Sequence, residues 1–473
     1  MRGATKILSD SEIGQIHESA VALLVSAGMK VCHPGILQSL EKTGAKVDGP
    51  RQRAILTREM IARLLPEHPT NITDWELNTK SSQEGHIWGS HPFILDWPQC
   101  TARKAARKDL TEVLQAAHGI QEIGIIGPPI SMDDVPASVE PIEAMALTMS
   151  TTDKKLHHAE IVLHEQIKYA VEFGEILTGQ PRSAALVPEN EYFTSPLVFG
   201  DRSAECVLEK IRLGIPVRVG TMSTSGLNSP GTVAGTVVLG LAELLGGLVM
   251  FKAIEPNGQY GCIACTGVMD MTTADACFST PECTLQNMAI YQILRLRYGI
   301  HTVVAQQYVD ATLPGIQATF EKTHRYCATA GFGAHLLPNN GILKSGLVFS
   351  PEQCLLDLEM SRALARQFRG MVADDDAMAL DLLISACHEA SPNFLAEEHT
   401  VRHCRQNFWL PKLPLRARDH GTSDWYAGDE RLLQVAHERW NEAQRNYHPI
   451  DLAEDKRRAI NDVVARARRE LIH

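Results

Sequence analysis

Pro216-Val217-Arg218-Val219-Gly220-Thr221, then Thr232 through Ile254, then Gln259-Tyr260-Gly261-Cys262-Ile263-Ala264-Cys265-Thr266 together decide the fold class. The outer two runs are short and β-rich, and the stretch between them is a long helical pattern, apolar and rich in small residues. Strands joined through a helix run parallel, since an antiparallel pair needs only a tight turn. Working outward, the alternation repeats. Further β-rich runs stand at Phe93–Trp97, Glu122–Ile126, Leu156–Val162, Ala184–Val187, His301–Gln306 and Gly331–Leu336, each followed by a helical pattern. Eight alternations at a spacing of roughly 30 residues predict an α/β chain folded as a (β/α)8 TIM barrel, with its active site at the C-terminal strand ends. An open doubly wound sheet rarely needs eight such units, and no G-x-G-x-x-G follows the first run.

The flanks read differently. Ser9-Asp10-Ser11-Glu12 is a capping box opening an amphipathic helix over residues 10–28. Residues 1–90 are therefore expected as an N-terminal helical extension, 91–370 as the catalytic barrel, and 371–473 as a C-terminal helical segment packed on it. Arg457, Arg458, Arg466, Arg468 and Arg469 are expected on solvated helix faces. A net charge of −11 argues against nucleic acid, which requires clustered cations. No apolar run is read as reaching the roughly 20 residues of a bilayer span, and no secretory h-region opens the chain. Eleven cysteines scattered through apolar stretches suit buried thiols in a reducing compartment. The expectation is a cytoplasmic protein.

The predicted strand ends carry Asp96-Trp97, Glu191-Tyr192-Phe193, Met222-Ser223, Asp270-Met271-Thr272, Gln307-Tyr308-Val309-Asp310 and His335. Acids and aromatics outnumber cations there, which suits a positively charged small molecule. No metal centre is expected. No His-x-His lies on the first strand, His157 and His158 should face opposite ways on a strand, and so should Cys262 and Cys265. H-E-x-x-H, EF-hand and P-loop patterns are missing, as is G-x-S-x-G. Glu321 is expected to pair with Arg325 one helical turn on. Helix 232–254 is expected to be buried or to face another subunit.

In the order of its short motifs the chain resembles the trimethylamine methyltransferase family, in the branch without pyrrolysine. The likeness runs from Leu8-Ser9-Asp10-Ser11-Glu12-Ile13 through Asp133-Asp134-Val135-Pro136, Ser195-Pro196-Leu197 and Ser279-Thr280-Pro281-Glu282. It continues in Pro314-Gly315-Ile316-Gln317-Ala318, Phe394-Leu395-x-x-Glu398-His399-Thr400 and Phe408-Trp409-x-Pro411-Lys412. It implies transfer of a methyl group from an amine to the Co(I) of a cognate corrinoid protein. The corrinoid, a cobalamin-type cofactor, would be supplied by that partner and not bound tightly by this chain. It also implies a homo-oligomer. Gly315 stands at or near the pyrrolysine position, which implies quaternary amines such as glycine betaine, proline betaine or carnitine. Thr272 stands where many relatives carry an arginine able to hold a substrate carboxylate, a departure that puts a glycine-betaine-like binding mode in doubt.

A quaternary ammonium leaves as a neutral amine, so no general acid is required, and it has no N–H to donate. Its recognition calls for aromatic faces, each contributing about 0.5–2 kcal/mol. Phe93, Trp97, Tyr192, Phe193 and Tyr308 are the candidates. Asp310 is a candidate to offset the charge or bind a substrate hydroxyl, and Gln307 and His335 to hold a carboxylate in place of the missing arginine. Two other classes stay open: a metal-dependent barrel hydrolase or lyase, and a non-catalytic betaine-binding protein.

Overall fold

The computed structural model describes residues 5–68, 84–300, 302–305, 308–334, 339–389, 391, 393–413 and 428–472. The central stretch folds as a parallel βαβ unit. Val217–Thr221 and Tyr260–Ala264 pair in parallel, Val217 opposite Tyr260 and Thr221 opposite Ala264. The helix between them, Val233–Ile254, starts where the Thr232 hydroxyl accepts from Gly235 N. This helix is long and apolar enough to cross a membrane, contrary to the expectation that no run comes near that length. It is instead sheathed in protein, packed against Asp10–Ser26 and Pro281–Tyr298 and buried along most of its length. A helix apolar on all sides is what such a position needs.

Seven parallel strands follow chain order: β1 (Gly85–Ile87), β2 (Ile123–Ile126), β3 (Lys155–Leu156), β4 (Asn190–Tyr192), β5 (Val217–Thr221), β6 (Tyr260–Ala264) and β7 (Thr302–Val304). They form two ladders, β1-β2-β3 and β4-β5-β6-β7. Among the described residues no ladder joins β3 to β4 or β7 to β1, so the sheets are not closed and the fold is mixed α/β. Beside β1 lie Asn339 and Asn340. Asn340 donates its N–H to His86 O and accepts from His86 N on Oδ1, both at 2.8 Å. Asn339 brackets Trp88 in the same way.

Four of the expected strands are corrected. Of Leu156–Val162 only Leu156 is strand, the last residue of β3, and 157–162 are loop. Phe93–Asp96 does not open the parallel series; it pairs antiparallel with Thr101–Lys104 and parallel with Val348–Phe349, in a separate sheet. The three-residue β1 takes its place, too short to show alternation. Residues 184–187 lie in a turn region, and the strand begins only after Pro188, which has no N–H for a ladder. Residues 331–334 finish the helix Ile316–Gly331 and turn, and 335–336 lie outside the described residues.

The N-terminal extension is not purely helical. Its strands Met29–Val31, Lys46–Asp48 and Arg53–Ile55 form a sheet, and the first pairs in parallel with Val198–Phe199 of the body. At the other end, Gly428–Arg445 buries Ala436 and Trp440 against Leu110, Leu114 and Phe349. Glu454–Leu471 buries Ile460, Val463 and Ala467 against Tyr169 and Phe173. Its arginines stay on the solvent-facing side as expected, and two of them form ion pairs there: Arg466 with Glu172, and Arg468 with Glu143 at 2.6 Å. Among the described residues one ion pair is fully buried. Lys322 meets Asp357, whose oxygens also accept from Gly341 N and Gln353 Nε2, each at 2.7 Å.

Candidate functional site

Strand alternation sorts the residues after β4. Glu191 is opposite Val219 and Tyr192 is opposite Gly220. Val219 and Phe193 both meet Gly247 of the helix Val233–Ile254, so they point outward. Phe193 is buried in the core, its ring 5.1 Å from that of Phe199, and it is not at the strand-end mouth. Tyr192 points the other way, its ring flat over Gly220, where a Cβ would come within 2.3 Å of the ring. Glycine at 220 is what makes room for it.

Tyr308 follows β7 and shares the mouth with Tyr192: it adds to the upward push on the Tyr192 phenol, and Cys265 and Glu160 act on both rings. Its ring lies against Gly346, where a Cβ would stand 2.4 Å away, and 5.9 Å from the Phe278 ring. Arg325, expected to pair with Glu321, is fully buried and instead donates to the carbonyls of Tyr308 and Ala305. Glu321 turns to the loops, accepting from Asp310 N at 2.8 Å and Ser279 Oγ at 2.9 Å. Asp310 is likewise occupied. Its oxygens accept from Phe278 N, Ser279 N, Ser279 Oγ and Ser345 Oγ, so it positions the loops around Tyr308. The Ser279 and Ser195 of the sequence motifs are thus loop ties; Ser195 Oγ reaches the buried Glu243 at 2.9 Å.

The opposite wall comes from β1 and β3. The Trp88 indole stacks on His157 at 4.6 Å and meets His158 edge-on at 5.9 Å, and the two imidazoles are 4.1 Å apart. The histidines do not face opposite ways as expected, because β3 ends at Leu156 and strand alternation ends with it. Burial holds His157 down to about 4 and His158 well below the ordinary imidazole range, so both rings are neutral near pH 7. Trp88 lies just beyond the three-residue β1, where no strand signal in the sequence could have pointed to it.

Glu160 completes the mouth. It is solvent-accessible yet ringed by protein atoms, as a side chain in a concave wall must be. Burial pushes its carboxyl up to about 7, with Lys210 opposing and Glu191 adding to the shift. The cations nearby are engaged. Lys210 pairs with Glu191 at 2.8 Å, Arg218 with Glu189 at 2.6 Å, and Arg325 with the two carbonyls.

The other expected site residues lie elsewhere. Phe93 packs beside Val309, Ala311 and Leu343 in the separate sheet, and Trp97 lies in the turn after Asp96, not at a parallel strand end. Thr272 is exposed, its hydroxyl donated to Asp270 at 2.6 Å. Gly315 donates its N–H to Gln353 Oε1 at 2.9 Å and lines an apolar cavity of about 630 Å³ with Phe320, Leu364, Trp409 and Leu433. A Cβ at position 315 would head for Leu433, 3.8 Å away. Gln307 and His335 lie outside the described residues.

With this geometry in place, comparison with known proteins is decisive. The family described as "Trimethylamine methyltransferase (MTTB)" matches residues 2–472. The chain belongs to the trimethylamine methyltransferase family. As a member it is an enzyme, a methyltransferase. It is 26% identical over 468 residues to trimethylamine methyltransferase MttB of Desulfitobacterium hafniense, covering 96% of this chain and 92% of that one. It is 24% identical to the Methanosarcina barkeri MttB, covering 94% and 92%. The glycine betaine methyltransferase of Desulfitobacterium hafniense is also 24% identical, with 94% and 93% covered. Among solved structures, the Methanosarcina barkeri monomethylamine methyltransferase MtmB aligns with a TM-score of 0.46 at 10% identity, covering 99% of this chain and 95% of that one.

Proposed function

We propose that this protein moves a methyl group from a quaternary ammonium compound to the Co(I) of a corrinoid carried by a partner protein. The observation that carries the reading is the aromatic wall of Trp88, Tyr192 and Tyr308 around the accessible acid Glu160. Aromatic faces attract a cation that cannot hydrogen-bond. Neutral histidines behind Trp88 add surface without repelling it. Glu160 offsets its charge.

In the reaction the methyl carbon leaves nitrogen, and the C–N electron pair stays behind as the lone pair of a tertiary amine. The Co–C bond takes its pair from Co(I), which becomes Co(III). No proton moves, so the site needs only to bind, aim and exclude water. Tyr192 and Tyr308, held on glycines, orient the ammonium with one methyl toward the open mouth. The cations around the mouth are already paired, which favours donors with a net positive charge over those whose carboxylate sits next to the ammonium. The glycine betaine methyltransferase among the relatives supports a quaternary donor as such. We further take the two ladders as arcs of one (β/α)8 barrel, a reading supported by their chain order and by Asn339 and Asn340 lying along β1.

The test mixes the protein, a reduced corrinoid protein and a panel of quaternary amines, and follows the loss of the Co(I) spectrum. Appearance of methyl-Co(III) with at least one donor is the expected result. A foldable, reducible corrinoid partner that is never methylated across the panel would overturn the assignment.

A further inference from the structure

Residues 371–410 carry three short helices, Asp375–Met378, Leu380–Cys387 and Glu398–Asn407, and almost no core. Ala386 is the one buried residue in these helices, while Leu380, Leu383, Ile384 and Val401 are exposed. The segment is tied to the body by polar bonds. Arg362 and Arg366, on the helix Pro351–Phe368, and Arg369, which caps its C-terminus, donate to the carbonyls of Leu410, Asn407 and Gln406 at 3.2, 2.6 and 2.7 Å. Within the segment the contacts converge on Asp376. His403 Nε2 is 3.0 Å from Asp376 Oδ2, His399 Nε2 is 2.8 Å from the Asp376 carbonyl oxygen, and Arg402 is 3.3 Å from Oδ1. The two imidazoles sit four residues apart on one helix, with ring centroids 4.3 Å apart. One ligand atom from each of Asp376, His399 and His403 lies within 4.8 Å of the others.

We propose that Asp376, His399 and His403 form a binding site for a divalent metal ion of the zinc class, which clips the helix Glu398–Asn407 to the short helix Asp375–Met378. Two histidines at i and i+4 project imidazole nitrogens from one helix face, and a carboxylate from a second element supplies the third donor. Water completes a four-coordinate ion at the exposed side. An exposed ion pair alone contributes little to stability. A metal contributes its binding free energy directly to folding, which is how small units lacking a core are held together. Arg402 stands on the other carboxylate oxygen and is half exposed, so it can swing out as the ion binds. Binding also requires the His399 ring to turn from the carbonyl of Asp376 toward its carboxylate.

The test uses the full chain without a polyhistidine tag, stripped by chelator and then titrated with Co(II) or Zn(II) alone. One ion per chain is expected, with a Co(II) visible spectrum of mixed nitrogen and oxygen ligation and slower proteolysis within 371–410. His399→Gln and His403→Gln should each weaken binding by roughly tenfold or more, since even indirect partners of a metal matter that much. Asp376→Asn, which keeps the hydrogen-bonding shape, guards against a variant that fails to fold and should weaken binding likewise. Equal affinity and an unchanged Co(II) spectrum in these variants would overturn the proposal, as would stoichiometric binding that leaves the segment as protease-sensitive as before. Methyl transfer is not the readout, because none of the three residues lies at the strand-end mouth.

Discussion

The strand-end mouth and the segment at residues 371–410 both collect histidines and acids, yet they are held in opposite ways. Around the mouth, each functional ring rests on buried structure: Tyr192 on Gly220, Tyr308 on Gly346, and Trp88 between Asn339 and the histidine pair. Behind them lie Arg325, Glu321 and the Lys322–Asp357 pair, all fixed by hydrogen bonds in low-dielectric surroundings. In the 371–410 segment the polar groups themselves are much of the scaffold, on the surface, and Ala386 is the one buried residue of its three helices. The first arrangement suits a site that must aim one methyl group. The second suits a unit whose order depends on what binds it.

The largest effect should come from breaking the buried support of the mouth. Lys322→Met leaves Asp357 charged and unpaired in the interior, a loss of about 3–5 kcal/mol. Urea unfolding followed by circular dichroism should show it, whereas Arg369→Ala at the edge of the segment should leave the midpoint of the body unmoved. Equal midpoints for the two variants would erase the contrast. Next come the rings. Tyr192→Ala or Tyr308→Ala should weaken tetramethylammonium binding by about 2- to 30-fold, the equivalent of one aromatic face. Tyr→Phe at either position should change little, since the face and not the hydroxyl does the binding; calorimetry separates the two. Gly346→Ala should come close to the Tyr308→Ala loss, because its Cβ would claim the space the Tyr308 ring occupies. Unchanged affinity in that variant would place the cation elsewhere.

How much of this was legible in the sequence depends on the length of each element. The long helix Val233–Ile254 and the five-residue β5 and β6 carry enough periodicity to be read, and they lie where expected. β1 and β3 have three and two residues, too few for alternation to declare itself, and so Trp88 was passed over and the first strand was placed at Phe93. Tyr192 and Tyr308 could be nominated because each follows a β-run. Phe193 could not be told apart from Tyr192 without knowing which face met the helix. Glu160 had no local signal at all: its character comes from the surrounding protein atoms that desolvate it and from Lys210 and Glu191, both distant in sequence. The pairing of Glu321 with Arg325 failed because helix spacing predicts only reach, while buried carbonyls at Ala305 and Tyr308 had the stronger need of a donor.

The smallest effect is also the most specific to the mouth. Glu160 faces Lys210 and Glu191 and the phenols of Tyr192 and Tyr308, and burial lifts its carboxyl to about 7. The phenols are pushed up and the nearby His157 and His158 pushed down, so none of these four changes charge near pH 7. Affinity for a quaternary ammonium should therefore rise with pH through neutrality, as Glu160 loses its proton, and Glu160→Gln should bind more weakly with the slope gone. A slope that survives in Glu160→Gln would assign the titration to another group. Stability runs the other way. With a folded-state value above the ordinary 4.5, this carboxyl stabilises the fold most fully below that ordinary value and loses the contribution as pH rises through about 7. Ligand-free protein should thus soften slightly over the range in which its grip on the cation tightens, and adding tetramethylammonium should cancel the softening in wild type but not in Glu160→Gln. A structural carboxyl buried for packing alone would show the first trend without the second.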